Sequence, residues 1–185
     1  MSEGENSLTV EFFLSEVIMM NLKLLIEKSL TSISRRIGEA PRQKLAELAA
    51  NNVSRSTFAV TNTFSILTDE IKKEVSLFIN DLSRTDMNKK GLKLLQTSTN
   101  EFVLEEYEKH KQYLIKIRIF DISGVDFSDF VQKEIDEALS DLEIKFLILE
   151  RKLSEERNKL YWDIGKILLS AIIGGFVGGY LKYLL

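Results

Sequence analysis

Apolar residues recur at intervals of three and four along most of the chain, a spacing that places them on one face of an α-helix. In the first segment, residues 7–37, they are Phe13, Val17, Met20 and Leu24. Residues 17–26 are apolar nearly all the way round, which predicts a helix buried on most of its surface. Gly38 and Pro41 are typical of the end of one helix and the first turn of the next. A short helix is therefore predicted at 42–50.

Two long helices are predicted in the middle of the chain. The first, at 54–82, has the apolar stripe Val60, Phe64, Leu67, Ile71, Val75, Phe78 and Leu82. Residues 81–91 are polar and predict a loop. Ser98 and Glu101 match a capping box, which predicts a second helix from about residue 99. Apolar and polar residues alternate over 113–120, which would suit a β-strand. A single strand has no partner here, so we interpret these residues as helical to about 119.

The last helix is predicted over 126–183, after a break at Ser123 and Gly124, with Asp126 as its cap. It carries a heptad pattern with charged flanks, formed by Ile135, Leu139, Leu142, Phe146, Leu149, Leu153 and Leu160. Such a pattern is typical of a coiled-coil seam between copies, and equally of a long helix that packs on its own domain. Both interpretations stay open at this point.

The segment 164–185 is apolar enough to be a membrane anchor. No charged residue lies between Lys166 and Lys182. A helix rises about 1.5 Å per residue and the hydrocarbon layer is about 30 Å thick, so the whole segment spans it if both lysines reach the headgroups. The predicted interface residues are Tyr161, Trp162, Lys166, Tyr180, Lys182 and Tyr183. A buried C-terminal helix is the alternative, which the four glycines between Lys166 and Lys182 disfavour.

Basic residues are more numerous on the N-terminal side of the uncharged run 167–181 than on its C-terminal side. They are Arg151, Lys152, Arg157, Lys159 and Lys166, against Lys182 alone. The positive-inside rule then places the N-terminal domain in the cytoplasm of a single-pass protein. The expected fold is all-α, a cytoplasmic bundle of long helices whose last, coiled-coil-like helix runs into one transmembrane helix. The expected domains are 1–123 for the bundle, 124–163 for the heptad helix (a stalk or part of the bundle) and 164–185 for the anchor.

Small residues in the anchor form two adjacent ridges with a spacing of four. The ridges comprise Ser170, Ala171, Gly174, Gly175, Gly178 and Gly179. Small residues at this spacing let membrane helices approach closely, so they predict helix packing in the bilayer and a homo-oligomer.

The composition favours no catalytic chemistry. The net charge is −3, so no nucleic-acid partner is expected, and there is no cysteine for a thiolate nucleophile or metal ligand. The single histidine, His110, lies in a polar run and is predicted to be a surface residue. No Gly-rich phosphate loop or hydrolase motif occurs. We therefore predict a non-enzymatic protein without a cofactor or metal.

Two functions follow from these features. In the first, a homo-oligomeric membrane effector clusters its glycine-bearing helices to perturb or permeabilise the bilayer. In the second, a tail-anchored adaptor or tether recruits a cytoplasmic protein partner to the membrane. The layout resembles that of tail-anchored adaptors and of small membrane effectors of bacterial antiviral systems, which is a likeness of architecture without a shared motif. The slight preference is for the effector.

Overall fold

The described part of the chain folds into five helices. The computed structural model describes the backbone of residues 3–85, 87–120 and 124–184, and the side chains of 16–85, 87–120, 124–156, 158–164, 166 and 167. The helices are α1 (Glu3–Ile37), α2 (Glu39–Ala50), α3 (Thr57–Leu82), α4 (Lys89–Lys116) and α5 (Ser128–Leu184). These ranges contain no strand, which confirms the all-α prediction.

Side-chain caps explain where three of the helices begin. Ser56 accepts a hydrogen bond from the backbone N–H of Ala59 at 3.1 Å, at the start of α3. Asn88 accepts one from the N–H of Gly91 at 2.8 Å, at the start of α4. Before α5, Asp126 Oδ1 accepts from the N–H of Ser128 at 2.9 Å, as predicted for this residue. Each cap satisfies an amide that has no partner inside its helix.

Left-handed residues end α2 and α4. Asn52 and Arg118 have φ angles of 59° and 58°. After α4, the N–H of Ile119 bonds the carbonyl of Leu114 at 2.9 Å, a Schellman arrangement in which arginine takes the position usually held by glycine. The prediction of helix through residue 119 is therefore wrong by about one turn, and the strand alternative for 113–120 is wrong as well.

The start of α4 lies ten residues before the predicted one. The capping box at Ser98 and Glu101 is not used, because Asn88 already caps the helix and Leu92 and Leu95 continue its buried stripe. The loop predicted over 81–91 is correspondingly shorter. A capping-box sequence in the interior of a helix faces amides that are already bonded, so it cannot act as a cap.

Residues Met1–Phe146 form one compact unit, and Leu147–Leu185, the remainder of α5, form another. Ser34 of α1 bonds Glu106 of α4, and Leu22 lies against Gly91, so α1 and α4 run in the same direction. Arg36 of α1 forms an ion pair with Glu74 of α3 at 2.7 Å, and α3 runs antiparallel to α1. The first part of α5 runs parallel to α3, and α2 packs on α1 and α3.

The core of the compact unit is apolar and built from every helix. Its largest fully buried side chains are Tyr107, Phe64, Ile26, Ile37, Leu67, Ile71, Ile79, Leu95, Leu114, Leu142, Val60 and Val75. In α1, however, only one stripe is covered, and the prediction that residues 17–26 are buried on most of their surface is wrong. Ile18, Met20, Leu24 and Leu25 are each about half exposed or more, because the neighbouring helices contact a single face.

We predict that two phenylalanines of α3 differ sharply in their contribution to stability. Phe64 is fully buried among Tyr107, His110 and Phe120, whereas Phe58 is 56% exposed. Phe64→Ala should lower the free energy of unfolding by about 3–5 kcal/mol. Phe58→Ala should change it by about 0.5 kcal/mol or less. Urea unfolding of the full chain, followed by circular dichroism, measures both, and equal losses would contradict the packing described here.

Candidate functional site

The second half of α5 exposes a dense set of large apolar side chains. Taken within the unit Leu147–Leu185, Leu160, Tyr161, Trp162, Ile164 and Ile167 all have between 45% and 69% of their surface exposed. Isolated exposed apolar residues are ordinary on protein surfaces, whereas clusters of them are typical of interaction surfaces. This stretch directly precedes the uncharged residues 167–181.

Lys166 is placed beside the aromatic residues of this cluster. Its Nζ lies 5.6 Å from the ring centroid of Trp162 and 3.8 Å from Asp163 Oδ1. A lysine over an indole face makes a cation–π contact, and both side chains can turn their polar ends toward headgroups while their apolar parts enter the acyl region. Among the predicted interface residues, Tyr161, Trp162 and Lys166 are therefore exposed and adjacent.

The remaining predicted membrane residues fall beyond the described side chains. These are the packing residues Ser170, Ala171, Gly174, Gly175, Gly178 and Gly179, and the interface residues Tyr180, Lys182 and Tyr183. Their backbone belongs to α5, which continues to Leu184. Within the part of the chain that the structure describes, no helix has a stretch long and apolar enough to cross a bilayer.

The heptad residues of α5 have three different environments. Leu142, Phe146 and Leu149 are buried, whereas Ile135, Leu139 and Leu153 are half-buried and Leu160 is exposed. In the compact unit, Leu142 and Phe146 are thus part of the core of a single chain. Of the two interpretations of the heptads, the structure favours packing on the same domain as far as Phe146, and Leu160 is an exposed heptad residue beyond it.

Glu134 is the centre of a polar cluster that sequence reasoning missed. Ser65 of α3 donates a hydrogen bond to its carboxylate at 2.8 Å, and Thr68 donates to the other oxygen. Tyr107 of α4 donates to the backbone carbonyl of Glu134 at 3.0 Å and lies 2.6 Å from the Thr68 hydroxyl. Burial raises the pKa of Tyr107 well above its usual range, so the phenol stays protonated and donates. The cluster joins three helices.

A second carboxylate, Glu106, is buried and joins α1 to α4. Its side chain accepts hydrogen bonds from Ser34 Oγ and from Lys109 Nζ, both at 2.7 Å. The bond to Glu106 raises the pKa of Lys109, which keeps the ammonium charged and compensates the carboxylate. In sequence, the acidic residues of this run are indistinguishable from an ordinary charged helix face. What distinguishes Glu106 from its acidic neighbours is its hydrogen bond to Ser34, which lies 72 positions away in the sequence.

His110 is buried, so the prediction that it is a surface residue is wrong. It is 9% exposed, and its ring meets Phe64 edge-on with the centroids 4.8 Å apart. The polar run around it is one face of α4, and residue 110 falls on the opposite face with Val103, Tyr107 and Leu114. Burial, together with the nearby Arg42 charge, lowers the pKa of His110 to about 4.

No group of histidines and carboxylates that could hold a metal occurs within the described ranges. No protein-family model, curated protein or solved structure matches the chain. The polar residues of the bundle join helices to one another, and the large apolar residues of α5 from Leu160 to Ile167 are exposed.

We predict that His110 makes the stability of the bundle depend on pH. Because its pKa of about 4 in the folded protein lies below the value of 6.5 for an unperturbed histidine, the unfolded chain binds the extra proton first as the pH falls. The full stabilisation is present above pH 6.5 and is lost as the pH falls toward 4. Between pH 7 and pH 5 the free energy of unfolding should decrease by roughly 2 kcal/mol.

The control for this prediction is His110→Gln, which removes the only histidine of the chain. Urea unfolding at pH 7 and pH 5 should show the pH-dependent loss in the original protein and little of it in the variant. If both proteins lose the same stability over this interval, carboxylates and not His110 are responsible.

Proposed function

We propose that this protein is a non-enzymatic, homo-oligomeric effector anchored in a membrane by the C-terminal end of α5, with the bundle in the cytoplasm. The observation that carries the proposal is the exposed apolar cluster at Leu160–Ile167, which continues in sequence into residues without charge up to Lys182. In water, such a surface is unfavourable in proportion to its apolar area. In a bilayer, the same surface drives insertion.

The residues at the start of this segment suit the boundary between water and lipid. Trp162 is 68% exposed, and Tyr161 beside it is exposed to a similar degree. Aromatic side chains with one polar atom are enriched at the headgroup level of membrane helices. The Lys166 charge lies where a side chain of its length can reach the phosphates. This arrangement supports an anchor that begins near residue 164.

Assembly through the anchor is supported by the small residues of its sequence. Gly174 and Gly178, like Gly175 and Gly179, are four residues apart and would lie on the same side of a helix. In lipid, helices associate through close backbone approach, because burying apolar surface gains nothing there. Two adjacent ridges provide contacts to neighbours on both sides, as a ring of helices requires.

A tail-anchored adaptor that recruits a cytoplasmic partner is the second candidate. It is favoured by the composition of the anchor, in which Ser170 is the only polar residue between Lys166 and Tyr180. A water-filled path would need more polar groups along it. In this alternative the tail provides location alone, and the exposed faces of the bundle bind the partner.

The anchor is tested first by truncation. Removing residues 166–185 should convert a membrane-bound protein that resists salt and carbonate washing into a soluble one that keeps its helical spectrum, because the bundle core ends before this segment. Cell fractionation measures the distribution. A full-length protein that already stays in the supernatant without detergent would exclude the anchor and leave a C-terminal helix that is buried in a partner.

The second test separates effector from tether. Gly174→Leu and Gly178→Leu should dissociate the oligomer in detergent and leave membrane targeting intact, because leucine favours insertion but blocks close approach of helices. Ile173→Leu is the matched control, since it keeps the volume and lies off both ridges. If the protein is an effector, the two glycine variants should form smaller oligomers and release less dye from liposomes than the original protein. Ile173→Leu should release as much dye as the original protein. Unchanged oligomer size in both glycine variants would favour the tether.

A further inference from the structure

The outward face of α1, opposite the face that the bundle covers, changes character along the helix. The covered face is apolar and packs on α2, α3 and α4; it is formed by Ile26, Leu30, Ile33 and Ile37. Over residues 27–36 the outward face is polar, and its exposed side chains are Glu27, Lys28, Thr31 and Arg35. Before residue 25 the outward face is apolar instead. Only the first part of α1 therefore presents apolar residues on both sides.

Four apolar residues form what we call the outward stripe, with intervals of four, three and four: Phe13, Val17, Met20 and Leu24. At about 100° per residue, these positions fall within roughly 60° of one another and on the side opposite Ile26. Met20 is 65% and Leu24 is 49% exposed, and Val17 is half-buried. Intervals of four and three that repeat in this way are those of the a and d positions of a coiled-coil seam. The outward stripe thus has the form of one half of a helix–helix contact.

Two exposed charges flank the outward stripe along the same edge. Glu16 and Lys23 are seven positions apart, which is one heptad, and both are exposed. If a second copy of α1 lies antiparallel, with Val17 against Met20 of the other copy, then Glu16 of each copy faces Lys23 of the other. If the second copy lies parallel, residue 23 faces residue 28 instead, and both are lysine. The charges of α1 therefore complement an antiparallel copy of the same helix and repel a parallel one.

We propose that the outward stripe, residues 13–24, is an antiparallel contact between two copies of this chain. The two-fold axis passes between Val17 and Met20, so each layer of the contact pairs one residue from either copy. Within one copy, Lys23 Nζ lies 3.8 Å from Glu27, but exposed pairs of this kind contribute little and leave the ammonium able to meet Glu16 of the second copy. The contact involves α1 alone and does not rest on the proposed function.

A disulfide test reads the orientation of the contact, because the sequence has no native cysteine. Full-length copies that carry Phe13→Cys are mixed in detergent with full-length copies that carry Leu24→Cys, and the mixture is oxidised mildly. In an antiparallel contact these two positions share a layer, whereas like positions lie about 16 Å apart along the helix axis. We expect the mixed disulfide to form roughly tenfold faster than either like disulfide, or more. Phe58→Cys, at an exposed position of α3, mixed with Leu24→Cys gives the background rate of collision.

Charge reversal in both partners tests the register. Glu16→Lys or Lys23→Glu alone should slow the mixed disulfide roughly fivefold, because each variant turns two attractive pairs into repulsive ones. Both changes together should restore the original rate, since the pairs are then attractive again with their signs exchanged. Glu47→Lys, the same charge change at an exposed position of α2, is the matched control and should leave the rate unchanged.

Met20→Lys tests the outward stripe itself. Because Met20 is exposed within one copy, a lysine there stays solvated and should leave urea unfolding of the chain unchanged. In the contact, the same lysine would meet the apolar seam of the second copy, so the mixed disulfide should form roughly tenfold more slowly. An unchanged rate would overturn the proposal.

Equal rates for the mixed and like disulfides overturn the proposal, and so do rates no higher than the Phe58→Cys background, as expected if the outward stripe enters lipid or detergent. Faster like disulfides overturn it in favour of a parallel contact. A double charge reversal that stays slow overturns the antiparallel register. Gly174→Leu in both partners blocks the proposed packing of the anchor. The mixed disulfide should persist in that background, and its loss there overturns a contact through α1 alone, so the failure of anchor packing and the failure of this contact are seen separately.

Discussion

The hydrogen bonds to Glu134 are the interaction on which the arrangement of the bundle depends. One residue of α5 accepts from Ser65 and Thr68 of α3 through its carboxylate and from Tyr107 of α4 through its backbone. A half-buried carboxylate without these donors would be costly, so the three helices are held in one register. Within the compact unit, the register at Glu134 also fixes which face of α5 is buried and which is exposed.

Periodicity predicted the helices well because their apolar stripes are long. The stripe of α3 is buried almost as expected, and Asp126 caps the start of α5 as predicted. The start of α4 was predicted too late because residues 98–101 match the capping-box sequence but lie in the interior of the helix. The sequence motif alone does not distinguish a helix start from a helix interior. The end of α4 could not be predicted, since the left-handed residue is Arg118 and neither glycine nor asparagine marks it.

Burial of polar residues was beyond sequence reasoning for a physical reason. His110, Glu106 and Glu134 lie in runs of charged residues, where composition indicates a solvated face. Their placement in the bundle depends on partners more than 25 positions away, such as Ser34 for the buried Glu106 and Thr68 for the half-buried Glu134. The opposite error occurred in α1, where an all-round apolar segment predicted burial and only one face is covered. In both cases, tertiary contacts decide what local pattern cannot.

The heptads of α5 show how one pattern can belong to two structures. Leu142 is fully buried in the compact unit, so Leu142→Lys would place an unpaired charge in the core and unfold the bundle, whatever the state of assembly. Leu160 has the same heptad spacing and is 60% exposed, and a lysine there would be solvated in a single chain. If α5 forms a seam between copies, Leu160→Lys should therefore weaken the oligomer in detergent without changing the free energy of unfolding. An unchanged oligomer would confine the heptads to packing within one chain.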